Sequence, residues 1–348
     1  MKIALAQINP TVGDFTGNTQ KILEYAARAA EQAADLVVFP ELCVCGYPPA
    51  DFLDKTVFLN RAVQAVNEIA AWTAPAGRPA LIVGSVMPAA SSVGKHVSNV
   101  AVLLSGGRVQ FIQQKMLLPF YDVFDEQRYF EPATSQSLTF VGDQPVAITI
   151  CEDAWNDKDF WPRQLYPLDP VDSLMRQWQA DSAQLDQHPR LIINISASPF
   201  CEGKPAVRER MLSAIASSHK AFVLLVNQVG GNDGLVFDGS SLLLDPSGTV
   251  VARGACFAED LVVVDFPKRI FLRKLCRKFS GSFAEHQKVR KRITAEPVRA
   301  IDSGRAFTSG EQPRHIGHLG ICVHMHATHD VMRGRPNFHR LLGNVDVA

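Results

Sequence analysis

"VAITICEDAW", residues 146–155, is the stretch on which the reading of this chain turns. Val146, Ala147, Ile148, Thr149 and Ile150 run up to Cys151 with no polar alternation. A short unbroken apolar and β-branched run is the pattern of a strand covered on both faces. Two carboxylates and a tryptophan follow Cys151 at once. The cysteine is therefore either the last core residue of a strand, packing as a small hydrophobe, or a nucleophile held at a strand end. Its own neighbours leave both readings open.

Two other apolar runs close on a charge. Glu41 ends "LVVFPE" and Lys115 ends "VQFIQQK". Taken singly, such a glutamate reads as a loop or cap residue and such a lysine as solvated. Charges seldom close buried strands without a partner, however, and ligands of α/β sheets bind at strand ends. Three strand ends meeting at one pocket would join a carboxylate, an ammonium and a thiol. That set suffices for amide hydrolysis. The thiolate is the nucleophile, and a nearby Lys115 is expected to lower the thiol pKa and to stabilise the oxyanion together with the backbone N–H after Cys151. Glu41 would move the protons. Lys115→Ala is expected to nearly abolish turnover and leave the fold intact.

Strand and helix patterns alternate along the first three quarters. "KIALAQI" reads as a strand and residues 18–33 as a helix. "DLVVFPE" and "ALIVGSV" are strands on either side of a helix over 57–72. "VSNVAVLLSGGRVQFIQQK" reads as a hairpin turning at Gly106-Gly107. A long loop over 116–136 precedes the strand ending at Cys151. A helix in "DSLMRQWQADSAQ", the strand "RLIINIS", a helix over 205–218, the strand "AFVLLVNQ" and three short strands through Val264 complete this part. This order predicts an α/β sandwich with antiparallel hairpins and not a purely parallel sheet.

Charge divides the chain near Pro267. Residues 1–266 hold 19 basic and 29 acidic residues; residues 267–348 hold 16 basic and 6 acidic ones and seven of the ten histidines. We take 1–266 as one domain and 267–348 as a basic, His-rich tail, expected to be partly disordered or an aberrant end of the coding sequence. No apolar run is long enough to span a bilayer. The odd, scattered set of seven cysteines reads as reduced thiols in a cytoplasmic protein. Nucleic-acid and membrane partners are not expected, because the basic run from Lys268 to Arg292 has few interleaved aromatics and reads as a solvated face. Cys322, His324, His326 and His329 in "CVHMHATH" fit no structural-zinc spacing, so no metal or cofactor is expected.

The segments "FPELCVCGYPPADFL", "KMLLPFYDVFDEQRYFEP", "ICEDAW", "NISASPF" and "VNQVGGNDGLVFDGSS" resemble the nitrilase, or carbon–nitrogen hydrolase, superfamily. The resemblance is to the glutaminase domain of glutamine-dependent NAD synthetases, and it runs from Met1 to about Phe266. It implies a four-layer α-β-β-α sandwich and usually a homo-oligomer. It also implies Glu41 as base, Lys115 on the oxyanion side and Cys151 as nucleophile, with glutamine as substrate. Glu126 matches a glutamate that positions the lysine or the substrate. Tyr121 and Trp155 match pocket walls, and Ser198 and Lys204 match positions holding the amino-acid end of glutamine. A free amino acid offers a carboxylate and an ammonium, for which Lys204 and Glu126 are the partners considered. Such synthetases continue into a domain with a Ser-Gly-Gly-x-Asp-Ser phosphate loop. "FSGSFAEH" (279–286) lacks its paired glycines, so NAD synthesis is expected to need a separate synthetase-domain partner. The rival readings are an amidase for another small amide or carbamoyl compound, and a non-catalytic scaffold subunit.

Overall fold

The computed structural model describes residues 1–181 and 185–267. The expectations for the basic tail and for the cluster at Cys322 to His329 lie outside the described residues.

The chain begins β1 (Lys2–Gln7), α1 (Phe15–Glu31), β2 (Leu36–Val38), α2 (Thr56–Trp72), β3 (Ala80–Pro88). The hairpin β4 (Val97–Ser105) and β5 (Arg108–Gln114) comes next, turning at Gly106 and Gly107, which both have positive φ as a tight turn requires. The one-turn helix α3 (Glu126–Tyr129) interrupts the long loop. A second run repeats the first: β6 (Thr139–Val141), β7 (Gln144–Ile150), α4 (Pro170–Ala180), β8 (Leu191–Ser196), α5 (Lys204–His219), β9 (Phe222–Asn227). The body ends with the ribbon β10 (Val229–Asn232) and β11 (Leu235–Asp238), then β12 (Leu242–Leu244), β13 (Val250–Arg253) and β14 (Asp260–Asp265).

Local chemistry sets the helix ends. The Asp14 side chain accepts the Gly17 N–H at 2.9 Å and starts α1 at Phe15, three residues before the periodicity places it. Asp169 does the same for Asp172 at 3.0 Å, with Pro170 in the first turn of α4. Five short strands, not three, come after β9; the extra pair arises because the chain reverses through Asp233 and Gly234, Asp233 having positive φ.

One six-stranded sheet runs β14-β1-β2-β3-β4-β5 and the other β13-β12-β9-β8-β7-β6. Strands β1, β2 and β3 are parallel, as are β7, β8 and β9, and the outer strands are antiparallel. Strand side chains alternate between faces, and here each face meets a different core. Ala4 and Ala6 of β1 face α1 and α2, whereas Ile3 and Leu5 face the other sheet. In β8, Ile192 faces α4 and α5, whereas Leu191, Ile193 and Ile195 face the first sheet. Three cores thus separate four layers, α-β-β-α, as expected. Strands buried on both faces explain the unbroken apolar runs of the sequence.

Candidate active site

Each polar strand-end residue singled out in the sequence leaves the sheets at the same edge. Glu41 lies just past β2, Lys115 just past β5 and Cys151 just past β7. Glu41 and Lys115 come from one sheet and Cys151 from the other, so the site sits on the seam between them. Gly84 of β3 makes room for the Glu41 turn: a Cβ there would collide with backbone of Pro40, Glu41 and Leu42.

Lys115 is fully buried and pairs with two carboxylates. Its Nζ donates to Glu41 Oε1 at 2.7 Å and to Glu126 Oε2 at 2.7 Å. Glu41 Oε1 also accepts from Asn99 Nδ2 at 2.7 Å, and its Oε2 accepts the Ala197 N–H at 2.8 Å. The Tyr47 hydroxyl donates to Glu126 Oε1 at 3.1 Å. Burial pulls the Lys115 ammonium down, but Glu126 and Glu41 more than offset it and hold it well above the usual lysine value. Burial raises the Glu126 carboxyl, against Lys115, to about 7.

Cys151 opens a single 3₁₀ turn, Cys151–Ala154, with φ at +42°. A left-handed conformation at a non-glycine residue costs on the order of 1–3 kcal/mol, and such strain gathers at functional sites. The sulfur lies in the same electrostatic cluster as Glu41, Lys115, Glu126 and Glu152. Burial raises the thiol pKa above its ordinary value, and one ammonium does not outweigh the surrounding carboxylates. Lys115 does lower the thiol pKa, as expected, but burial and the carboxylates outweigh that pull. Removing the ammonium would leave two carboxylates buried together, which bears on the stability expected of a Lys115 variant.

A cavity opens beside the sulfur. Its wall includes Tyr121, Glu152, Trp155, Ser198 and Lys204. Trp155 stacks on Trp161 with ring centroids 6.2 Å apart, which stiffens that side. Lys204, the first residue of α5, lies 5.5 Å from the Trp155 ring centre and 5.7 Å from that of Phe124. Burial lowers its pKa. Tyr121, Trp155, Ser198 and Lys204 are thus brought together on one wall. Glu126 does not join them on the wall; it pairs with Lys115 and Tyr47. Two carboxylates line the cavity, Asp122 and Glu152; the buried one, Glu152, accepts the Tyr121 hydroxyl at 2.9 Å and the Tyr166 hydroxyl at 3.2 Å.

Sequence reasoning missed Tyr47, Asn99, Glu152 and Asp153. Asn99 had a signal: it is a lone amide inside the apolar run "VSNVAVLL". Glu152 and Asp153 stand side by side in "ICEDAW" with no pattern to separate their roles.

Residues 2–167 and 171–270 match the carbon-nitrogen hydrolase family. This chain belongs to that family. A relative in Synechocystis, a glutamine-dependent NAD(+) synthetase, is 39% identical over 269 residues, covering 76% of this chain and 46% of the relative. One in Thermotoga maritima with the same name is 36% identical, covering 87% and 47%. The chain spans about half the length of the curated relatives it matches. Among solved structures, the glutamine-dependent NAD+ synthetase from Acinetobacter baumannii superposes with a TM-score of 0.62 at 30% identity, over 75% of this chain and 44% of that one. An amidase from Nesterenkonia sp. AN1, 24% identical with a TM-score of 0.61 over 77% of this chain and 93% of that one, shares the fold. Membership in this family accounts for the four layers and the seam.

Proposed function

We propose that this carbon-nitrogen hydrolase domain is a glutamine amidohydrolase. The observation that carries the reading is a buried ammonium shared by two carboxylates in the electrostatic cluster of a strained cysteine, with a cation and a carboxylate on the wall of the adjoining cavity. The relatives' names support glutamine as the amide.

In this reading Glu41 Oε2, which accepts one N–H in the free site, takes the Cys151 proton as sulfur attacks the side-chain amide carbon. The C=O becomes an oxyanion, held by the Lys115 ammonium and the Glu152 N–H. The C–N bond breaks, Glu41 returns the proton to nitrogen, and ammonia leaves a thioester on Cys151. Glu41 then activates water, the C–S bond breaks, and glutamate and the thiol are regenerated. Glu126 and Tyr47 hold Lys115 in place. Lys204 and Ser198 receive the substrate α-carboxylate and Glu152 its ammonium, while Tyr121 and Trp155 flank the chain between. Glu152 thereby replaces Glu126 as the acidic partner.

A synthetase-domain partner that consumes the ammonia, a homo-oligomer and a cytoplasmic location belong to the same proposal. The test is release of glutamate and ammonia from glutamine by purified protein, with Cys151→Ala as the control. Equal rates for the two proteins would sink it. Turnover of simple amides that exceeds turnover of glutamine would favour the small-amide reading instead.

A further inference from the structure

The triad straddles two sheets, and those sheets pack through apolar side chains such as Leu103, Ile148 and Ile193. Apolar packing is non-directional. Catalytic groups need placement within about 0.5 Å. Something directional must therefore fix one sheet against the other at the site.

The Asp153 side chain has that geometry. Its Oδ1 accepts the N–H of Met116 at 3.0 Å and of Leu117 at 2.8 Å, and its Oδ2 accepts the N–H of Ile150 at 3.0 Å. Met116 and Leu117 directly follow Lys115; Ile150 directly precedes Cys151. The three donors come from the two segments that carry the ammonium and the thiol. Asp153 is 1% exposed. Burial raises its carboxyl to about 7, against the pull of its N–H donors and of Lys115. Met116 and Leu117 lie outside any strand, so their N–H groups are satisfied by this side chain and not by a ladder.

We propose that Asp153 is a positioning residue: its carboxylate is a strut across the seam that sets the Lys115 segment against the Cys151 turn. The proposal rests on the glutaminase reading of Lys115 and Cys151. An asparagine cannot replace the strut, because it has one acceptor oxygen and its NH₂ would face an N–H donor.

Two measurements test this, and only the first depends on turnover. For Asp153→Asn, assayed with glutamine at a temperature where circular dichroism shows it folded, kcat falls about 100-fold, the loss expected for a misplacement near 1 Å. KM stays within about threefold, because Lys204, Ser198 and Trp155 are untouched. Unchanged kcat, or a loss confined to KM, overturns the proposal. In the wild-type protein, hydrogen exchange shows the Met116 and Leu117 amides protected together with that of Ile150. Rapid exchange at Met116 and Leu117 overturns the strut even if the variant does not fold. If wild-type protein hydrolyses no glutamine, the glutaminase reading falls and the exchange result alone decides the strut.

Discussion

Replacing Lys115 by methionine removes one charge and little volume, and the surroundings of that charge determine the outcome. The ammonium is wholly buried and lies 2.7 Å from Glu41 and 2.7 Å from Glu126. Its loss leaves two carboxylates in the interior with no cation between them. Breaking a buried pair by removing one partner costs about 3–5 kcal/mol. With a urea m-value of about 3 kcal/mol/M, that is a fall in the unfolding midpoint of roughly 1–1.7 M. Turnover falls separately by about 10²–10³, the usual effect of losing one oxyanion donor. The two effects come apart in a double variant: Lys115→Met with Glu126→Gln recovers part of the midpoint and none of the turnover. pH gives the sign. In the wild-type protein burial raises Glu126, against the pull of Lys115, to about 7; without the ammonium that pull is gone and the Glu126 carboxyl lies higher still, so on acidification toward about 7 the variant takes up a proton that wild type does not. The single variant should therefore gain stability relative to wild type as pH falls from above 8 toward about 7. Equal urea midpoints for the two proteins at pH 8, or a gap that widens on acidification, would refute the charge argument.

Other perturbations give distinct signatures. Lys204→Ala should raise KM for glutamine about 10- to 150-fold, corresponding to loss of a charge-assisted hydrogen bond of about 1.5–3 kcal/mol, and leave turnover of an amide lacking an α-carboxylate unchanged; steady-state kinetics with both substrates checks this. Because burial and carboxylates raise the Cys151 thiol pKa, iodoacetamide at pH 8 should label the exposed Cys201 and Cys256 before Cys151, as read by peptide mass spectrometry. Preferential labelling of Cys151 would mean a resting thiolate. Arg208→Ala should cost about 3–5 kcal/mol in urea unfolding, because it strands Asp238, which its Nη2 meets at 2.6 Å with both side chains 2% exposed.

Much of this architecture is legible before any coordinates. Unbroken runs such as "VAITI" and "LIINI" mark strands covered on both faces, and the charges that end three of the runs point to one edge. Resemblance then supplies the four layers. The charge balance stays hidden. Nothing in "KMLLPF" or "DEQRYF" states that Lys115 would meet two carboxylates, since Glu126 reaches it through a one-turn helix that no periodicity reveals. The thiol shows the consequence: Lys115 lowers its pKa as the sequence led one to expect, but burial and three carboxylates outweigh that pull. Asp153 is illegible for another reason. A side chain that accepts backbone N–H groups selects no partner residue type, so its donors leave no trace in composition.

β14 leaves the second half of the chain and pairs with β1 along Lys2 to Gln7, and Phe266 exchanges hydrogen bonds with Met1. A truncation before Asp260 would thus do more than shorten the protein. It would bare the β1 edge to other chains and release the clasp by which the later-synthesised half grips the earlier one. Such a fragment should aggregate through that edge while keeping every residue named in the reaction.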